Sequence, residues 1–131
     1  MNEDFVSYEL AVKLKEKGFD APCYGYYHCN GGNDSFELCG NGDYDFLNSK
    51  NKHRIAAPTI PQVLKWLREE KKIHIEVMFI GPTPRVKYYI TNIGGDRSFM
   101  DVAYGHYETW EQATLAGIEY ILNKFSYDRQ R

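Results

Sequence analysis

The feature that most constrains the fold is the alternating run IHIEVMFI at residues 73–80. Every second residue of this run is a large apolar residue, which is the two-residue period of a strand with one buried face. Residues 85–93, RVKYYITNI, follow after a GPTP turn and predict the antiparallel partner. A third strand is predicted at residues 99–105. These segments together predict an antiparallel sheet.

Three other segments have the apolar spacing of amphipathic helices. Each begins at a residue whose side-chain oxygen can accept a backbone N–H, and the three predicted N-caps are Ser7, Thr59 and Thr109. A glutamine three residues after each threonine completes the pattern of a capping box. We expect Trp66 at the edge of the second helix's apolar face and Trp110 on the apolar face of the third.

Helices and strands in this order predict an α+β fold, with an antiparallel sheet of about three to five strands against a single layer of about three helices. A length of 131 residues fits a single domain over residues 1–131. Residues 23–28, CYGYYH, predict a further strand, with a short return strand in SFELCG. We expect a long flexible loop at residues 40–57 and a frayed tail at residues 126–131.

All three cysteines lie between residues 23 and 39, near His28. A zinc site needs four ligands, usually supplied as closely spaced pairs, and the spacing of Cys23, Cys29 and Cys39 does not match such pairs. We therefore predict no metal site, no cofactor and reduced thiols. Two alternatives stay open, namely a site formed by Cys29, Cys39 and His53, and a Cys29–Cys39 disulfide.

Charge and hydropathy narrow the expected location and partners. The formal net charge of −2 gives no general attraction to nucleic acid or to anionic lipid. No apolar run has the length needed to span a bilayer, and the N-terminus lacks the basic and apolar regions of a signal peptide. We therefore expect a cytoplasmic protein with no membrane partner.

Three stretches also resemble a known family: EDFVSYELAVKLKEKGFD, APTIPQVLKWLREEKKIHIEV and YETWEQATLAGIEYIL. They are similar to short proteins of uncharacterised function that we associate with Bacteroides-type gut bacteria and with prophage-like or other mobile regions of their genomes. The resemblance covers about half of the chain. It implies an intracellular protein that is accessory to a mobile element, and it implies no activity, cofactor or catalytic residue.

Two functional alternatives depend on particular residues. His74 and Glu76 share one face of the alternating strand and can act as an acid–base pair in a small enzyme. The face of a strand opposite its buried face usually carries solvated polar residues, however, so we assign no catalytic residue. Residues 60–125 also have the αβββα order of a double-stranded-RNA-binding domain. The last helix begins with TWEQAT, which is acidic where basic contacts are required, so the charge argues against nucleic acid.

The leading prediction is a non-enzymatic protein-binding or regulatory accessory module of a mobile element. It rests on elimination and on the 11 tyrosines, because tyrosine combines a large ring with a polar tip and suits contact surfaces. We expect an unknown protein partner, with homodimer formation through a strand edge as the alternative. The predicted contact residues are Tyr26, Tyr27, His74, Glu76 and Tyr89.

Overall fold

The computed structural model describes the backbone of residues 5–40, 46–80, 85–92, 100–105 and 107–129, and the side chains of residues 5–40, 46–77 and 107–123. Within these ranges the chain forms three α-helices and six antiparallel strands, which confirms the predicted α+β class. The strands are divided between two three-stranded sheets. The chain separates into two compact units, Met1–Val63 and Leu64–Arg131, which we describe in turn.

The first unit contains helix α1 (Tyr8–Glu16) and a sheet of order β2-β1-β3, formed by β1 (Gly25–His28), β2 (Glu37–Leu38) and β3 (Arg54–Ala57). The predicted cap is present, since Ser7 Oγ accepts the N–H of Leu10 at 3.3 Å. Gly18, with φ of +94°, ends the helix in the left-handed conformation that favours glycine. The chain then returns to bury Phe19 in the core.

Strand β3 lies within the segment that the sequence predicts as a flexible loop, residues 40–57, and the prediction of a loop is wrong for residues 54–57. Residues 54–57 pair with β1 along its whole length. A buried asparagine, Asn48, ties the preceding segment to the core by donating to Phe19 O at 2.9 Å and accepting the N–H of Ala56 at 2.8 Å. Residues 41–45 of the predicted loop lie outside the described residues.

Helix α2 (Ile60–Glu70) contains the boundary between the two units. Its capping box forms as predicted, because Thr59 N donates to Gln62 Oε1 at 2.9 Å and Gln62 N donates to Thr59 Oγ1 at 3.4 Å. The buried residues of the helix are Ile60, Val63, Trp66 and Leu67. Trp66, which the sequence predicts at the edge of the apolar face, is thus buried together with it.

The second unit contains a sheet of order β4-β5-β6, formed by β4 (Ile73–Ile80), β5 (Arg85–Asn92) and β6 (Met100–Gly105). This meander confirms the predicted hairpin and third strand, and its register pairs Ile73 with Asn92. Helix α3 (Trp110–Arg129) packs against β4 and β5. The sheet therefore carries its helix on the face predicted to be apolar, where Ile73 and Ile75 are buried.

Helix α3 differs from the prediction at both ends. Up to residue 123, where the described side chains of the helix end, the buried residues are Ala113, Thr114, Gly117, Ile118, Ile121 and Leu122. Trp110, which the sequence predicts on this apolar face, lies in the first turn of the helix and is 40% exposed. The helix also extends to Arg129, into the segment that the sequence predicts as a frayed tail from residue 126, and residues 130–131 lie outside the described residues.

None of the helices in the described ranges combines the length and the apolar character needed to cross a bilayer.

Candidate functional site

Strand β1 presents two different faces. Gly25 and Tyr27 are buried, whereas Tyr26 and His28 are half-buried, as expected from the alternation of side chains along a strand. Tyr27 lies on the side of α1, where its ring makes an edge contact with the ring of Tyr8. Tyr26 and His28 therefore belong to the opposite face of the first sheet, which we call the outer face.

Four side chains on the outer face form one connected network: Tyr26, His28, Glu37 and Arg54. The register explains their proximity, because Glu37 is the cross-strand partner of Tyr26 and Arg54 is that of His28. His28 Nε2 is hydrogen-bonded to Glu37 Oε2, and Tyr26 Oη donates to Glu37 Oε1 at 3.4 Å. The Arg54 guanidinium lies 5.1 Å from the centre of the Tyr26 ring, within the range of a cation–π contact. We call these four residues the outer-face network.

The ring of Tyr26 is the centre of this network. It stacks on the ring of Phe46, with a centroid distance of 4.9 Å and an interplanar angle of 13°. The His28 ring meets it edge-on at 5.6 Å. Because Phe46 is itself buried, the stack anchors Tyr26 to the core while its hydroxyl reaches Glu37. The arrangement of the four side chains is thus held by contacts within the unit.

Contacts within the network favour the ionised form of Glu37. The hydrogen bond from His28 lowers the pKa of the Glu37 carboxyl, with further lowering from the charge of His28, the Tyr26 hydroxyl and the charge of Arg54. Since folding lowers this pKa, its contribution to stability is fully present above the ordinary glutamate pKa and is lost as the pH falls through the lowered value. The exposed position of Glu37 means that solvent screens this effect.

The structure separates the two neighbouring tyrosines that the sequence proposed together as contact residues. Tyr26 lies in the outer-face network, but Tyr27 is only 2% exposed, and its hydroxyl donates to Val6 O at 2.5 Å. Burial raises the pKa of the Tyr27 hydroxyl, and the charge of Glu9 adds to this. Tyr27 is therefore a core residue, and its assignment to a contact surface is wrong.

The other predicted contact residues belong to the second unit. His74 Nε2 and Glu76 Oε1 lie 3.7 Å apart on β4, and both side chains reach solvent. This separation is longer than a hydrogen bond. The cross-strand partner of Glu76 is Tyr89, whose side chain lies outside the described residues. The structure thus brings His74 and Glu76 together, on a different unit from Tyr26.

Sequence reasoning missed Glu37 and Arg54 as partners of Tyr26. Arg54 lies in the segment predicted as a loop, and Glu37 lies in a return strand of two residues. The signal that identifies them is the register of β1 with both neighbours, because residues directly opposite each other share a face. That register depends on the two connections, from β1 to β2 and from β2 to β3.

The cysteines occupy three different environments, and none is in a disulfide. Cys39 Sγ lies 3.7 Å from Cys23 O, and Cys29 Sγ lies 3.7 Å from Lys52 O. The N–H of Cys39 donates to Tyr24 O, one residue before β1, whereas Cys29 directly follows the end of β1. Burial raises the pKa of the Cys23 thiol to about 12, with a smaller effect from Cys39. In the ranges that the structure describes, no three side chains of His, Cys, Asp or Glu are grouped as metal ligands.

These environments predict a clear order of thiol reactivity. We expect dithiobis-nitrobenzoate to modify the exposed Cys29 first, the half-buried Cys39 more slowly, and Cys23 only after unfolding, because the thiolate is the reactive form and Cys23 is buried with a raised pKa. The measurement is an absorbance time course with peptide mapping by mass spectrometry. Cys29→Ser is expected to remove the fast phase. Reaction of Cys23 in the native protein at its denatured rate would contradict this order.

A shallow depression of about 270 Å³ also lies in the first unit. Its lining residues are Lys15, Gly18, Phe19, Asp20, Asn48 and Ser49. The polar groups there already serve the fold: Lys15 Nζ donates to two backbone carbonyls, and Asp20 Oδ1 accepts the N–H of Ser49 at 2.8 Å. The outer-face network is therefore the stronger candidate for a functional site.

No protein-family model, curated protein or solved structure matches the chain.

Proposed function

We propose that this chain is a non-enzymatic protein-binding module that contacts its partner through the outer face of the first sheet. The observation that carries the proposal is the outer-face network, in which four interacting side chains lie at the surface of β1, β2 and β3. Such a module acts by occupying or recruiting a partner protein. This role agrees with the regulatory, accessory role expected from the sequence.

Residue types on the outer face support this function. Tyrosine and arginine are enriched at protein interfaces and among the residues that contribute most to binding. Here the Arg54 guanidinium and the Tyr26 ring are already in contact, and Glu37 accepts bonds from two neighbours. Side chains that are ordered before binding lose less conformational entropy when a partner docks. The network therefore favours association at this face.

Apolar surface is available beside the network. Tyr24, two residues before Tyr26, is 45% exposed, whereas the exposed Leu38 of the edge strand β2 lies opposite Gly25 and so on the other face of the sheet. Protein interfaces commonly combine apolar contacts of this kind with a polar rim. An edge strand also offers backbone groups to an extended partner segment. Tyr24 and the edge strand β2 both lie next to the outer-face network.

The test is site-specific photo-crosslinking in cells of the native host, with a photoreactive amino acid at Tyr24. We expect one discrete adduct that Arg54→Ala weakens, because Arg54 is exposed and its loss removes a contact without opening the core. The matched control places the same group at Glu16, an exposed residue at the end of α1. Adducts of equal yield at both positions, or an adduct unchanged by Arg54→Ala, would overturn the proposal. Far-UV circular dichroism checks that each variant is folded.

A further inference from the structure

Charged residues are unevenly distributed along the part of the chain that includes Arg54. From residue 46 to residue 68 there is no aspartate or glutamate, although this stretch has five lysines and arginines. Within it, four basic or titratable side chains are exposed and close in sequence: Lys50, Lys52, His53 and Arg54. We call these four residues the basic ridge. In the described part of the chain, no carboxylate forms an ion pair with Lys50 or Lys52.

The backbone of the basic ridge is fixed by bonds to the rest of the first unit. Lys15 Nζ donates to Asn51 O at 2.8 Å and to Arg54 O at 2.9 Å. The N–H of Cys29 donates to His53 O at 2.9 Å. These carbonyl oxygens, which would repel an anion, are therefore occupied by donors from the protein. The side chains of the ridge meanwhile reach solvent.

The basic ridge is continuous with the outer-face network, because Arg54 belongs to both. Arg54 is the cross-strand partner of His28 and lies against Tyr26. Lys52 and His53 directly precede Arg54, so the ridge begins within two residues of the network along the chain. Clustered cations of this kind attract carboxylates and raise the rate of association.

We infer that the partner contributes an acidic, extended protein segment whose aspartate or glutamate side chains pair with the basic ridge. This inference rests on the proposed function and specifies the chemistry of the partner. Residues 50–54 extend over at most about 14 Å, since an extended chain advances about 3.4 Å per residue. The complementary segment is accordingly short, with about two to four carboxylates.

A protein segment fits this surface better than a nucleic acid does. Proteins that bind single strands need aromatic rings on which bases stack. The Tyr26 ring is already contacted by Phe46, His28 and Arg54. A duplex needs phosphate contacts over a longer surface than the four-residue ridge, and the chain as a whole has a net charge of −2.

The experiment measures fluorescence anisotropy of a labelled peptide with alternating glutamate and serine, titrated with the full chain. Its matched probe replaces every glutamate by glutamine. We expect the acidic peptide alone to bind, with an affinity that falls as the ionic strength rises. The double variant Lys50→Glu/Lys52→Glu is expected to weaken binding by about tenfold or more, because it reverses two charges next to the carboxylates.

The control variant is Lys65→Glu/Arg68→Glu, which changes the net charge equally through two exposed residues of α2. We expect it to bind the peptide as the wild type does. Equal losses in both double variants, or no binding by the wild type at low ionic strength, would overturn the inference. Tighter, ridge-dependent binding of a single-stranded oligonucleotide would also overturn it, in favour of nucleic acid.

The two proposals fail in different ways. A Tyr24 adduct that forms equally well in Lys50→Glu/Lys52→Glu leaves the protein-binding function in place and removes the acidic-segment inference. The same conclusion follows if the adduct is lost in Arg54→Ala but is kept in Lys50→Glu/Lys52→Glu. Absence of an adduct, together with ridge-dependent peptide binding, removes the proposed function and leaves the ridge as a separate anion site.

Discussion

Tyr27→Ala is expected to lower the free energy of unfolding of the first unit by about 3–5 kcal/mol, the cost of deleting a buried aromatic ring. The ring fills the space between Tyr8 and Phe36, and its hydroxyl donates to Val6 O. The variant leaves both a cavity and a carbonyl without its donor. Urea denaturation of the full chain, followed by far-UV circular dichroism, measures the loss.

Two phenylalanine variants separate the ring from the hydroxyl. Tyr27→Phe keeps the ring and removes only the buried hydrogen bond, so we expect a loss of about 1–2 kcal/mol. Tyr26→Phe removes the exposed bond to Glu37 and is expected to change stability by less than about 0.5 kcal/mol. Equal effects of the two substitutions would show that the faces of β1 are assigned incorrectly.

Asn48→Leu is expected to cost about 2–4 kcal/mol, although leucine is apolar and similar in volume. Both polar groups of the asparagine are bonded to backbone in the core, where Phe19 O accepts from it and Ala56 N donates to it. Leucine satisfies neither group, and a buried backbone group without a partner costs about 1–3 kcal/mol. The same denaturation measurement gives the size of the effect.

Hydrogen exchange provides a local readout for this variant. The amide of Ala56 is expected to exchange faster in Asn48→Leu, because its acceptor is gone, while the amides of α1 change less. Ser49→Ala is the matched control, since its side chain is exposed in the same segment, and we expect a change within about 0.5 kcal/mol. An Ala56 amide that keeps its protection in Asn48→Leu would contradict the assigned role.

The sequence predicts well those elements whose signals are local. The caps at Ser7 and Thr59 depend on residues within one turn, and both form. The Thr109 cap forms in part: Gln112 N donates to Thr109 Oγ1, but Gln112 Oε1 accepts the N–H of Glu108 instead of that of Thr109. The pairing of β4 with β5 is also local, with strong alternation in two segments that only four residues separate.

Strand β3 could not be predicted in the same way, because RIAA has no alternation and few β-formers. It becomes a strand by pairing with β1, which lies far earlier in the chain, and by the support of Asn48. The side chains of the candidate site could not be predicted either, for the same reason. The aromatic residues Tyr26 and Tyr27 are adjacent, so the strand must bury one of them, and only the contacts of the neighbouring elements decide which one.

The distribution of tryptophan has a practical consequence for studies of binding. Both tryptophans of the chain, Trp66 and Trp110, belong to Leu64–Arg131, so the first unit contains tyrosine and phenylalanine but no indole. Emission excited selectively from tryptophan consequently reports the environment of the second unit. A ligand on the outer face can bind fully without altering that emission. The substitution Tyr24→Trp, at an exposed position, would give the first unit a fluorescent signal of its own.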